Sequence, residues 1–128
     1  MSRVLWKSEP EAHDYPAAAS YLSLVAAPDT VELLVDRLKA SSIVHYKAKD
    51  ILRASGLEDL PADNVHVARD IARVKSGKAL SPVLLVRGDI AQGVPLQIAD
   101  GYHRVCASYR LDEDTDIPCR IVGLPEPH

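Results

Sequence analysis

The chain has 128 residues, a net charge of −3 and no phenylalanine. This length predicts one domain around a single hydrophobic core. The hydrophobic fraction of 47% is typical of an ordinary globular protein and argues against a disordered or fibrous one. The slightly acidic balance argues against an extended nucleic-acid-binding surface, which usually requires a basic domain or face.

The N-terminal segment lacks the apolar stretch of a secretory signal, and no apolar run approaches the length of a membrane span. Cys106 and Cys119 are too far apart for a CxxC motif and have no histidine at zinc-binding spacing. We expect both cysteines to be small buried hydrophobic side chains in a reducing compartment. The sequence therefore predicts a cytoplasmic protein that does not contact membranes.

Residues 1–42 have the pattern of a helical N-terminal extension. Pro16 precedes an alanine-rich turn and predicts a helix over 16–24. Asp29 and Glu32 predict the acidic variant of a capping box at the start of a second helix. The apolar face of this helix repeats at i, i+3, i+4 and i+7, with Val31, Leu34, Val35 and Leu38.

Residues 43–122 alternate between strand and helix patterns. A strand or extended segment over 42–46 precedes a helix that ends at Gly56, and Asp63 is expected to cap the next helix. Residues 82–86 are apolar at nearly every position, which predicts a strand covered on both faces. A loop over 88–95, a strand over 96–99, a helix over 102–111 and a strand over 117–122 follow, and Pro118 favours a sheet edge or a strand start. The predicted fold class is α+β, a small mixed β-sheet flanked by helices, with residues 123–128 as a tail.

One segment has the composition of an anion site. An apolar strand ends at Asp100, and Gly101 then opens a helix. Glycine permits positive φ and close approach of a ligand, and the first-turn amides of a helix favour anions. Arg104 could fork two hydrogen bonds onto phosphate oxygens, and His103 could donate to the same anion or move a proton. This pattern favours a phosphate ligand.

Residues 100–104 (DGYHR), followed by 105–107 (VCA) and by 117–122 (IPCRIV), resemble the signature of the ParB/sulfiredoxin-like domain family. The upstream helix over 67–77 and the strand over 81–86 match the order of elements in that family. The resemblance covers residues 43–122 and implies the family's fold. It also implies nucleoside-triphosphate binding at this turn, because family members bind such nucleotides there.

The resemblance implies several related activities. ParB partition proteins bind and hydrolyse CTP, sulfiredoxin uses ATP to repair over-oxidised peroxiredoxin, and a related kinase phosphorylates free serine. In sulfiredoxin a catalytic cysteine directly precedes the His-Arg pair, where this chain has Tyr102, so we do not expect sulfinic acid repair. The chain ends at His128, which leaves no room for the domains that make ParB a DNA clamp.

The resulting hypothesis is a site for ATP or CTP with Mg²⁺. Its nucleotide- and phosphate-binding residues are Gly101, Tyr102, His103, Arg104, Asn64 and His66. His103 or Asp100 would handle a proton during hydrolysis or phosphoryl transfer.

Simpler interpretations stay open for the same residues. Gly101 is also typical of a turn, Arg104 of an ion pair, and Asp100 and Asn64 of helix caps. Four basic residues can form a charged helix back rather than a DNA-facing stripe, namely Arg69, Arg73, Lys75 and Lys78. At the level of function, the alternative is a non-enzymatic module that binds a protein or DNA partner, with the N-terminal helices as its surface. A nuclease ranks third, because the sequence has no carboxylate cluster at metal-binding spacing.

Overall fold

The computed structural model describes residues 3–125 as five α-helices and four strands. Their order is α1 (Asp14–Leu22), α2 (Pro28–Ala40), β1 (Val44–Lys47), α3 (Ala48–Ser55), α4 (Val65–Lys75), β2 (Val83–Val86), β3 (Gln97–Asp100), α5 (Tyr102–Leu111) and β4 (Asp116–Val122). A short 3-10 turn, Ile90–Gln92, lies between β2 and β3. The last three residues of the predicted tail lie outside the described residues.

The four strands form one mixed sheet in the order β1-β4-β2-β3. β4 pairs antiparallel with β1 and parallel with β2, and β2 pairs antiparallel with β3. The predicted burial of β2 on both faces is confirmed, because all four of its residues are buried. Alternate side chains of a strand point to opposite faces, so β2 contributes to two separate cores.

Helices cover both faces of the sheet. On one face, α1 and α2 pack against Leu84, Val86 and Ala99. On the other face, α3, α4 and α5 pack around Val83 and Leu85. The α+β prediction of a small mixed sheet flanked by helices is therefore confirmed. The N-terminal extension forms a complete layer of this sandwich.

Three local predictions need correction. α2 begins at Pro28 with Ala27 as its N-cap and no side-chain cap, so Asp29 lies inside the helix and the predicted capping box is wrong. The cap of α4 is Asn64 rather than Asp63, and its side chain accepts hydrogen bonds from the backbone amides of His66 and Val67.

The third correction concerns the edge alternative for β4, which is an internal strand that carries Pro118 near its start. The pairing with β2 starts only at Cys119, so at Pro118 the strand has a neighbour on the β1 side alone. Proline is tolerated there because one side of the strand requires no hydrogen-bond donor.

Both cysteines are free and buried, as predicted. Burial raises the pKa of the Cys119 thiol to about 12 and also raises the pKa of Cys106. These thiols are therefore protonated and inert at neutral pH. No helix in residues 3–125 has the length and hydrophobicity needed to cross a bilayer.

Candidate functional site

The turn between β3 and α5 is fixed by packing. Gly101 adopts a φ of +106°, and a Cβ at this position would lie 2.4 Å from Cγ1 of Val83 in the central strand. Glycine is therefore required by the backbone conformation and by the close approach of the sheet. It supplies no side-chain cap to α5, so the amides of the first turn of α5 have no capping side chain.

Arg104 is held inside the protein. Its side chain is 12% exposed, and its Nη1 atom donates a hydrogen bond to the carbonyl oxygen of Ser81 at 2.8 Å. Its Nη2 atom donates to Oδ2 of Asp100, and its Nη1 atom lies 3.7 Å from Oδ2 of Asp14. The guanidinium thus connects α1, β3 and the segment before β2, and most of its donors are already used.

Asp14 is a site residue that the sequence analysis missed. Its side chain is 5% exposed and accepts a hydrogen bond from the backbone amide of Glu11 at 2.8 Å, which orients it. Burial raises the pKa of Asp100; Arg104 opposes this shift, and nearby Asp14 adds to it. Asp14 lies far from the 100–104 motif in the sequence, and no pattern in the sequence connects the two.

The rings of His103 and His66 are in contact, with centroids 4.6 Å apart and planes tilted by 42°. Arg69 lies with Nη2 3.2 Å from Nδ1 of His66, a nitrogen that can accept its hydrogen bond. Burial and the neighbouring His66 lower the pKa of His103, whereas Asp70 opposes that shift. A neutral imidazole at the rim of the cleft can accept a proton.

The side chains of Tyr102 and Asn64 have structural roles. The hydroxyl of Tyr102 donates to the carbonyl oxygen of Glu58 at 2.6 Å and so anchors the loop between α3 and α4. Asn64 caps α4, as described above. Neither side chain lines the cleft at the start of α5, and His66 reaches it through its contacts with His103 and Arg69.

The cleft has a volume of about 680 Å³, within the range of small-molecule sites. Gly101, His103 and Arg104 line it. The lining also includes five further basic or imidazole groups, namely Lys7, His13, Arg69, Arg73 and Lys78. Lys75, the remaining one of the four basic residues in the 69–78 segment, lines a different hollow.

The cations of the cleft differ in what neutralises them. Lys7 pairs with Glu11, and Arg73 lies 3.7 Å from buried Asp70. Arg69 and Lys78 have no carboxylate partner among residues 3–125. The cleft thus holds two cations without an ion-pair partner, and its five basic and four acidic lining residues leave a net charge of +1.

The carboxylates of the cleft do not fit a protein-bound metal ion. Both Asp14 and Asp100 are held by Arg104, and residues 3–125 contain no group of three or more metal-ligating side chains. A Mg²⁺ ion in this cleft would have to be held by the phosphates of its nucleotide.

Comparisons of the chain with protein-family models, with curated proteins and with solved structures found no match.

Proposed function

We propose that the cleft between α4 and the start of α5 binds a nucleoside triphosphate, which carries its own Mg²⁺. The main support is the convergence of Arg69, Lys78 and the first turn of α5 on one cleft. Uncompensated cations attract phosphate, and the positive end of the helix dipole favours the same charge. The resemblance of residues 100–104 to the ParB/sulfiredoxin-like signature supports the same ligand class.

In this proposal Arg104 stabilises the conformation of the site and does not bind phosphate. Its guanidinium contacts the buried carboxylate of Asp14 and the partly buried carboxylate of Asp100, and it fixes the β3–α5 turn. Phosphate oxygens are bound instead by Arg69, Lys78 and the α5 amides. Asp100 consequently orients Arg104 rather than accepting a proton.

Hydrolysis or phosphoryl transfer is the second step of the proposal. Water or an acceptor hydroxyl attacks the γ-phosphorus, and the bond to the β–γ bridging oxygen breaks. The proton of the attacking group passes to His103, whose lowered pKa keeps it neutral and able to accept a proton at neutral pH.

Calorimetry with ATP, CTP and GTP in Mg²⁺ tests the proposal. We expect binding of at least one nucleotide, weakened about tenfold or more by Arg69→Ala and by Lys78→Ala, because each loses a charge-assisted contact. In the same samples, His103→Gln should abolish phosphate release while the nucleotide still binds.

Lys75→Ala is the matched control, because Lys75 is an exposed cation on α4 that lies outside the cleft. Arg104→Ala is unsuitable as a binding variant, since it would leave buried Asp14 and partly buried Asp100 without their cation and would unfold the turn. Flat titrations at millimolar nucleotide, or equal affinities for Arg69→Ala and the unsubstituted chain, would contradict the proposal.

A protein-binding module is the second candidate function. It is favoured by the connection between α1 and α2, where Leu24 is 83% and Val25 is 56% exposed. The apolar faces of both helices are otherwise used by the sheet. A partner that binds the Arg69→Ala and Lys78→Ala variants normally, but not Leu24→Asp, would favour this function over nucleotide binding.

A further inference from the structure

The apolar face of α4 is interrupted by an acidic residue. The buried residues of this helix are Val67, Asp70 and Val74, which recur at the spacing of a single helix face. Val67 and Val74 pack against apolar neighbours, as expected for such a face. The side chain of Asp70 is only 5% exposed, so a carboxylate occupies a position where an apolar side chain would cost less free energy to bury.

The Asp70 carboxylate has little compensation within the described chain. It accepts no hydrogen bond among residues 3–125. Its only ion pair in that range is with Arg73, whose Nη1 atom lies 3.7 Å from Oδ1 and whose side chain is half exposed. Buried polar groups nearly always have a hydrogen-bond partner, so this carboxylate requires an explanation. Because Asp70 lines the cleft, a group in the cleft can supply the missing partner.

His103 lies against the same side of α4. His66 and Asp70 are four residues apart, which places them one turn apart on that side of the helix. The ring of His103 contacts the ring of His66, and both His103 and Asp70 line the cleft. Burial, His66 and Arg69 lower the pKa of His103, whereas the charge of Asp70 raises it.

The other acidic and titratable groups around His103 do not replace Asp70. Three other carboxylates line the cleft, and each already lies beside a cation: Asp14 and Asp100 beside Arg104, and Glu11 beside Lys7. The ring of Tyr102 lies 5.6 Å from that of His103, but burial raises the pKa of its hydroxyl, which stays uncharged. The remaining titratable groups of the cleft and its rim are basic, namely His13, His66, Arg69, Arg73 and Lys78.

We propose that Asp70 is the positioning residue of His103, and that its carboxylate stabilises the imidazolium formed when His103 accepts a proton. This inference rests on the phosphoryl chemistry proposed above for the same cleft. The proton of the attacking water or hydroxyl passes to the imidazole, which becomes positively charged and later releases the proton to solvent. A buried carboxylate interacts more strongly with that new charge than a solvated one would. The reaction itself thus supplies the partner that Asp70 lacks.

NMR titration of the histidine rings tests the pairing in the absence of nucleotide. Asp70→Asn should weaken the affinity of His103 for its proton about tenfold, because a nearby opposite charge favours the protonated form. Arg73→Ala should strengthen that affinity, since Arg73 partly neutralises Asp70. The signals of His103 are assigned by their loss in His103→Gln. Opposite effects of the two variants could not both come from a loosened fold.

Asp36→Asn is the matched control. It removes the same charge from an exposed position on α2 that lies outside the cleft. The titration of His103 in this variant should equal that of the unsubstituted chain.

The pH profile of phosphate release gives the functional readout. In Asp70→Asn the imidazole is a weaker base, so we expect a lower maximal rate. The acid limb of the profile should move to lower pH by the same amount as the NMR titration, which a purely structural role of Asp70 would not produce.

An unchanged His103 titration in Asp70→Asn would overturn this inference, even if nucleotide binds and is hydrolysed. A displaced titration with an unmoved acid limb would also overturn it, because Asp70 would then not act through His103 in the reaction. Flat calorimetric titrations with nucleotide would contradict the proposed function instead, and a displaced His103 titration would still support the pairing of Asp70 with His103.

Discussion

Gly101 illustrates how one residue can satisfy two independent demands. Its φ of +106° is costly for any residue with a side chain, and Val83 fills the space where a Cβ would lie. The sequence motif suggested close approach of a ligand at this glycine. The structure adds a packing reason that applies whether or not a ligand binds.

Gly101→Ala should lower the free energy of unfolding by about 3 kcal/mol, because backbone strain and overpacking add together. Gly93→Ala is the matched control, since Gly93 has a φ of +68° but a Cβ added there would meet no atom within 4 Å. We expect it to cost about 1 kcal/mol from backbone strain alone. Urea denaturation measures both, and equal losses would show that packing against Val83 contributes nothing.

His103 gives a prediction about pH. Its folded-state pKa lies below the ordinary value because of burial and the nearby His66, with Asp70 opposing and Arg69 adding to the shift. The folded protein therefore prefers the neutral imidazole. The resulting stability is present above the unfolded-state pKa of the histidine and is lost as pH falls through the folded-state pKa.

NMR titration of the histidine ring protons should give His103 a pKa below that of a free histidine. His66→Gln should raise the pKa of His103, because it removes an imidazole whose positive form repels a second positive charge. His45→Gln, which changes an exposed histidine on β1, should leave it unchanged. A His103 that titrates at the ordinary value would contradict the packing described for this pair.

At the scale of elements, the N-terminal helices have the properties of a core layer. Leu34 and Leu38 of α2 and Leu22 of α1 are nearly inaccessible to solvent and pack with Leu84 and Val86 of the central strand. The sequence pattern at i, i+3, i+4 and i+7 predicted the apolar face of α2 correctly. It could not reveal that the partner of this face is the sheet.

Leu34→Ala should lower the free energy of unfolding by about 3 kcal/mol, the usual cost of a cavity in a packed core. Leu33→Ala changes the neighbouring leucine, which is 39% exposed, and should cost less than about 1 kcal/mol. Urea unfolding followed by circular dichroism and by the fluorescence of Trp6 measures both. Similar losses for the two variants would mean that α2 is a loosely attached extension.

At the scale of the whole molecule, local sequence patterns predicted most helices and strands. The features that were not predicted depend on contacts between segments distant in sequence. The stop at Gly56, the buried strand β2 and the bounds of α5 follow from short-range chemistry and were predicted. The internal position of β4 was not predicted, because strand order depends on pairing between segments that are distant in sequence.

The candidate site was predictable to the same extent. Gly101 and His103 could be proposed from their neighbours in sequence. The contact between Arg104 and Asp14 could not be predicted, since no sequence pattern near either residue indicates the other. The role of Arg69 and Lys78 likewise depends on which carboxylates lie beside the other cations of the cleft.

The covering of one sheet face by α1 and α2 has a consequence for synthesis of the chain. These helices are synthesised before the sheet, because the strand residues on which they pack begin only at Leu84. Until β2 and β3 have emerged, the apolar faces of α1 and α2 have only each other as native partners in this layer. The two helices are therefore synthesised early but can complete their packing only late.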